Sequence, residues 1–146
     1  MTDVTIQSKP YGEVTVKEQQ LLHFPVGLFG FERMQHYALL DSTAPPFFWL
    51  QSLDDPGLAF ILVNPYLVVP DYVLDIDPHE LTEIGEPAED DLLVFAVVTI
   101  AHDENRVSCN LQGPVMINRK ARLGRQAISL DARWSIRHSL LENGQG

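Results

Sequence analysis

The sequence holds a single cysteine, Cys109, in 146 residues. A lone thiol excludes an internal disulfide and fits a reducing compartment. Long apolar runs are missing as well. The most apolar stretch, Leu92 to Ala101 (LLVFAVVTIA), falls well short of the roughly 20 residues of a membrane-spanning helix. The opening MTDVTIQSKP has neither the charged n-region nor the apolar h-region of a secretion signal, so a cytoplasmic protein without membrane attachment is expected. Between Arg33 and Arg106 there is no lysine or arginine at all. Residues 1–105 carry 18 acids against Lys9, Lys17 and Arg33, a balance of -15. Residues 106–146 carry two acids against seven cations, a balance of +5, and the net charge is -10. Such a field repels phosphate backbones and favours basic partners, although acids also serve solubility.

Catalytic constellations are absent too. The serines lie in no nucleophile elbow, and His23, His36, His79, His102 and His138 are scattered rather than set at metal-ligand spacing. His102-Asp103-Glu104 groups three potential ligands, but at a hairpin turn, where acids are ordinary. Asp54 and Asp55 are adjacent, so their side chains diverge, and nothing nearby promises the desolvation that would raise one pKa. No glycine-rich phosphate loop is present. The expectation is a non-enzyme without metal or cofactor.

What remains is a succession of short strands, with ten prolines and nine glycines dispersed among them. Val4 and Ile6, then Val14 and Val16, alternate with polar neighbours around a turn at Tyr11-Gly12 and predict a hairpin. Leu21 to Phe24 starts a third strand, and Tyr37 to Leu40 forms another after one helical turn at Phe31 to His36. Between them, FPVGLFGFE (Phe24 to Glu32) sets three phenylalanines among two glycines, and a cluster of this kind is expected to fold back onto the core. The centre of the chain is FFWLQSLDDPGLAF (Phe47 to Phe60), two apolar arms around Asp54-Asp55-Pro56-Gly57, read as a buried hairpin. NPYLVVPDY (Asn64 to Tyr72), fenced by Pro65 and Pro70, reads as an extended edge or connection able to accept a partner's strand.

One short helix is predicted near 78–84, with Asp77 as cap, Pro78 at the first position, Glu80 completing a capping box and Gly85 as terminator. Leu92 to Ala101 is rich in β-branched residues and reads as a central strand. Val107, Cys109 and Leu111 alternate strictly with polar residues, which turns Cys109 inward. After Gly113-Pro114, Val115 and Ile117 resume a strand. Ile128 and Leu130 are assigned to its return, around a basic tip from Asn118 to Arg125. The sum is an all-β, mainly antiparallel domain over 1–140, a small β-barrel or sandwich, with 141–146 as a flexible tail. Small barrels also bind single-stranded nucleic acid, but here only the basic tip could meet phosphates, so direct nucleic-acid binding is not expected.

Four segments carry a resemblance: FPVGLFGFE, FFWLQSLDDPGLAF with NPYLVVPDY, GPVMINRKARLGRQ (Gly113 to Gln126) and WSIRHSL (Trp134 to Leu140). In that order, over nearly the whole chain, they resemble the flagellar assembly factor FliW family. Phe29, Gly113, Trp134 and Ser139 stand where many members have Pro, Ala, Tyr and Pro. The resemblance implies a compact β-barrel-like, non-enzymatic partner switch. It would bind flagellin and the basic, RNA-binding translational regulator CsrA, relieving repression of flagellin mRNA. Partner-binding candidates follow from motif position and charge: Asp54 and Asp55 on the central turn, Asp71 and Tyr72 in the proline-fenced segment, Phe29 and Phe31 in the glycine-rich segment, and Asn118, Arg119 and Lys120 at the basic tip. Two other classes compete. A barrel binding a small ligand or oligosaccharide would show a concave aromatic pocket instead of a filled core, and a hydrolase would show two buried, facing carboxylates.

Overall fold

The structure, a computed structural model, describes residues 2–140; the expected tail at 141–146 lies outside the described residues. It is mostly β. β1 (Asp3–Ser8) and β2 (Gly12–Lys17) form a separate antiparallel hairpin. The remaining strands are β3 (Leu21–His23), β4 (His36–Asp41), β5 (Phe48–Ser52), β6 (Ala59–Val63), β7 (Leu92–Ala101), β8 (Arg106–Cys109), β9 (Val115–Asn118), β10 (Leu123–Gln126) and β11 (His138–Ser139). They share one sheet in the order β11-β8-β7-β6-β5-β4-β3-β10-β9, and β9 pairs again with β7. That second pairing closes seven strands, β3 to β7 with β9 and β10, into a barrel. Every pairing is antiparallel except β3 with β10, joined in parallel at His23 and Leu123.

The barrel is filled. Phe24, Tyr37, Leu50, Leu62, Phe95, Val115 and Ile117 pack inside it, with Phe24 and Phe95 meeting Tyr37 and Phe48 edge to face. Outside the wall, the β1–β2 hairpin lays Ile6 and Val16 on Ala38 and Leu40 of β4. Tyr72 and Trp134 cover Val63, Ala96, Val98 and Cys109. The acidic segment between β6 and β7 lays Leu74, Ile76, Leu81 and Ile84 against Met116, Leu123 and Ala127. Among the described residues the interior of the barrel is a packed core, the arrangement set against the ligand-binding alternative.

Several expectations are corrected. NPYLVVPDY is not extended. Asn64 accepts the Tyr66 amide through Oδ1, Pro65 takes the first helical position, and one turn, α1 (Pro65–Val68), follows. The helix expected near 78–84 is the single turn α2 (His79–Thr82). Asp77 caps it at the His79 amide, 2.9 Å away. Glu80 makes no capping box and instead pairs with Arg125. Gly85, at φ +88°, ends the turn, with the Glu86 amide reaching back to the Leu81 carbonyl as helix-terminating glycines allow. No helical turn forms at Phe31 to His36; the chain makes a tight turn there before β4. The return from β9 begins at Leu123, while Ile128 and Leu130 lie beyond β10 and are exposed.

Phe24 is held under Gly124 of β10, where a methyl group would overlap its ring. This contact seals the seam at which the parallel pairing closes the barrel. Gly124→Ala is expected to cost about 1–3 kcal/mol, the range for overfilling a packed core. Phe24→Leu in the same chain should return part of that loss. Urea unfolding of the two single variants and the double variant checks both, since strictly additive losses would place the strain elsewhere.

Candidate functional site

Four surfaces hold the sequence-derived candidates. The first is the central turn. Asp54 accepts the Gln35 and His36 amides through Oδ2 at 2.8 and 2.9 Å, and its Oδ1 lies 3.3 Å from His36 Nδ1. The amide of His36 above all, with that of Gln35 and the His36 ring, holds its carboxyl below the usual range, against a partial opposing effect of burial. Asp55 Oδ1 accepts the Gly57 amide at 2.9 Å and shapes the turn. Both aspartates are exposed, and Asp54 also fixes the entry to β4.

The second is the glycine-rich segment, where the expected burial divides. Phe24 and Leu28 are buried, whereas Phe29 and Phe31 are 49% and 40% exposed. Gly27, at φ +65°, has the Phe31 carbonyl and Glu32 backbone where a side chain would stand, so the loop is drawn tight and its tip projects outward. Phe31 rests edge to face on Phe60 at 5.0 Å between centroids. The Phe29 amide donates to Gln126 Oε1 on β10.

The third is the proline-fenced segment. Asp71 is exposed, but Tyr72 is only 4% exposed; its hydroxyl donates to the Leu111 carbonyl at 3.1 Å, and its ring packs on Trp134 and Tyr66. Tyr72 therefore supports this surface from beneath and presents no face to a partner. Cys109 is inward, only 1% exposed, and burial pushes the Tyr72 phenol up to about 12 and the Cys109 thiol up to about 11.

The fourth, the basic tip, is not a free tip. Asn118 is 4% exposed; its Oδ1 accepts the Lys120 and Ala121 amides, and its Nδ2 donates to the Ile84 carbonyl. Arg119 pairs with Asp91 at 3.2 Å, Arg125 with Glu80, and Arg122 donates to the Glu18 carbonyl. Arg119 and Arg125 hold the acidic segment to the barrel, and of the tip's four cations only Lys120 has no ion-pair or hydrogen-bond partner for its side-chain charge among the described residues.

One feature escaped the sequence reading. Grooves flank the short β6–β7 ladder. One, of about 810 Å³, is lined by Phe31, Trp49, Phe60, Ile61, Ile100 and Ile136 and rimmed by Lys9, Arg106, Arg137 and Glu104. The other, about 720 Å³, lies among Phe48, Tyr66, Leu67 and Leu93 beside Glu89. Each combines residues far apart in the chain, so no local pattern announces it. The acids from Asp71 to Asp91, part of the stretch without lysine or arginine seen in the sequence, lie on the segment that covers β9 and β10. Asp71, Asp75, Asp77, Glu86, Glu89 and Asp90 are exposed and have no ion-pair partner among the described residues.

The described residues form a small closed all-β barrel with a filled interior. Residues 5–140 match the family model described as FliW protein. The flagellar assembly factor FliW of Treponema denticola is 46% identical over 136 residues, 93% of this chain and 92% of that one. The same factor from Leptospira biflexa is 44% identical over 142 residues, 96% and 93% of the two chains. A crystal structure of the flagellar assembly factor FliW matches with a TM-score of 0.84 at 31% identity, covering 94% of this chain and 96% of that chain. This chain belongs to the FliW family of flagellar assembly factors.

The Asp54 contacts set an acid dependence. A carboxyl whose pKa is lowered by folding contributes stability that is present above its unfolded pKa and lost as the pH falls through the folded one. Asp54→Asn should therefore lower the urea midpoint at neutral pH and flatten its decline on the acid side of the ordinary carboxylate range. A parallel decline in variant and parent would assign the acid sensitivity to other groups.

Proposed function

We propose that this chain is a non-enzymatic, cytoplasmic partner switch that binds flagellin and a basic, RNA-binding translational regulator of the CsrA type. Flagellin that accumulates occupies the protein, the regulator is freed, and translation of flagellin mRNA falls; export of flagellin reverses the exchange. Membership of a family of flagellar assembly factors supports the flagellar setting. The observation that carries the regulator half is the set of exposed carboxylates Asp71, Asp75, Asp77, Glu86, Glu89 and Asp90, which have no ion-pair partner among the described residues. A surface of that sign attracts a basic dimer, and once docked it places like charge beside any RNA on the same dimer, which disfavours the ternary state. The tip cations Arg119 and Arg125, tied to Asp91 and Glu80, add no phosphate-binding surface of their own. Of the sequence-derived candidates, Asp71, Asp55, Lys120, Phe29 and Phe31 remain available to partners, and Asp54, Arg119, Asn118 and Tyr72 act by holding the loops in place.

Reversing Asp71, Asp75, Asp77, Glu86, Glu89 and Asp90 to lysine is expected to weaken regulator binding at least tenfold at low salt, chiefly through the association rate. The difference should narrow as salt rises and the charges are screened. Stopped-flow association at two ionic strengths measures this. Equal rates for parent and variant would reject the electrostatic account, and no binding of the regulator to the parent would reject the switch.

A further inference from the structure

The ladder between β6 and β7 covers only Ile61, Leu62 and Val63 against Val98, Val97 and Ala96. Continuing the register would pair Phe60 with Thr99 and Ala59 with Ile100, but the two strands have already separated. Which backbone groups this leaves open follows from alternation along a strand. The Arg119 amide donates to Asp91 and the Asn110 amide to Val97, so the odd-numbered residues of β7 aim their backbone groups at β9 and β8. Val98 and Ile100 therefore aim theirs the other way, towards β6. On β6 the Ser52 amide donates to Leu58, which turns Ala59 and Ile61 towards β7. Ile61 and Val98 face each other within the ladder. The N–H and C=O of Ala59 and of Ile100 consequently point into the fork, beyond the last β6–β7 residue pair among the described residues, Ile61 with Val98.

The fork is the larger groove. Its walls come from both faces of the sheet, Phe60 from the barrel side with the exposed Phe31 resting on it, and Trp49 and Ile61 from the outer side, where alternation also sets Ile100. Apolar side walls around unpaired strand edges are the features by which sheets accept an added strand, with backbone bonds giving affinity and alternate side chains entering pockets. The rim supplies the charge preference. Arg106 is paired with Glu104 at 3.4 Å, but Lys9 and Arg137 are exposed and have no carboxylate partner among the described residues. On a chain of net charge -10, this is a local island of positive charge beside an apolar cleft.

We propose that the β6–β7 fork is a strand-accepting site whose occupant is a short extended peptide segment with apolar side chains and flanking carboxylates. The segment bonds to the backbone of Ile100 and Ala59, places apolar groups against Phe60 and Ile136, and sets its carboxylates by Lys9 and Arg137. A basic partner is disfavoured there and is left to the acidic segment. This rests on the partner-switch reading and sharpens it: the two partners occupy different surfaces, flagellin supplying the acidic extended segment.

The test uses the whole ¹⁵N-labelled protein with monomeric flagellin as the probe, reading amide hydrogen exchange and affinity. On binding, the Ile100 and Ala59 amides are expected to be protected at least tenfold. Lys9→Glu with Arg137→Glu should lower flagellin affinity at least tenfold and leave affinity for the basic regulator unchanged; both residues are on the surface, so the fold is retained. Flagellin bound with those two amides still exchanging at the free rate would overturn strand addition, as a helix lying in the groove would produce. Undiminished affinity of the double variant would overturn the assigned rim. If the parent protein binds no flagellin, the partner-switch reading fails and this inference fails with it, an outcome distinct from the other two.

Discussion

The structure depends on how β7 is shared. Its first four residues pair with β9 and close the barrel; its last four pair with β8, which leaves the barrel wall and carries β11 outward. One ten-residue strand thus serves a closed ring and an open extension. The near-continuous apolar sequence of this strand is the physical requirement for that arrangement. Leu93, Phe95 and Val97 meet the barrel core, while Ala96 and Val98 meet the outer layer under Tyr72 and Trp134. A strand with one polar face could not be covered on both sides.

Closure at the opposite seam is weaker in hydrogen bonding, a single parallel pair between His23 and Leu123. Side-chain packing compensates there: Gly124 admits the ring of Phe24, and Arg122 accepts the His23 amide at its carbonyl while its guanidinium reaches the Glu18 carbonyl. The basic hairpin between β9 and β10 is thus a structural clamp. It binds the barrel to the acidic segment through Arg119–Asp91 and Arg125–Glu80, and Asn118 holds the Ile84 carbonyl from within. Exposed single pairs contribute little, but Asn118 and the Arg125–Glu80 pair are more sheltered, where hydrogen bonds matter more.

Local pattern made much of this legible. The Asp54-Asp55-Pro56-Gly57 turn, the alternation that buries Cys109 and the β-branched run of β7 each depend on neighbours a few residues apart, and each stands where the sequence places it. Misreadings arose where two local signals competed. In NPYLVVPDY the prolines argued for an extended edge, yet Asn64 followed by Pro65 is equally a helix start, and burial of Tyr72 against Leu111 and Trp134 decides for the turn. Phe24, Phe29 and Phe31 look alike in sequence, but the tight conformation at Gly27 lets only one of them enter the barrel. The charge asymmetry was real in the chain and softened in space, because Glu80 and Asp91 face arginines from far along the sequence. Grooves and unpaired edges arise from register between distant strands, which composition and periodicity do not encode.

The fork between β6 and β7 follows from the same sharing that closes the barrel. Up to Val98, β7 lies in the ring and β6 can follow it; beyond Val98, β7 turns away with β8. For β6 to stay paired there it would have to leave β5, to which Ala59 and Phe60 are joined opposite Gln51 and Leu50. That bond is reinforced by Gln51, whose buried Nε2 donates to the Ser52, Pro56 and Leu58 carbonyls and whose Oε1 accepts the Lys9 amide of the β1–β2 turn. One buried amide therefore holds β6 to the barrel and sets Lys9 at the rim of the cleft. An opening maintained by the closure of the core cannot collapse without breaking that closure, so its unpaired edges persist as a surface feature of the folded protein.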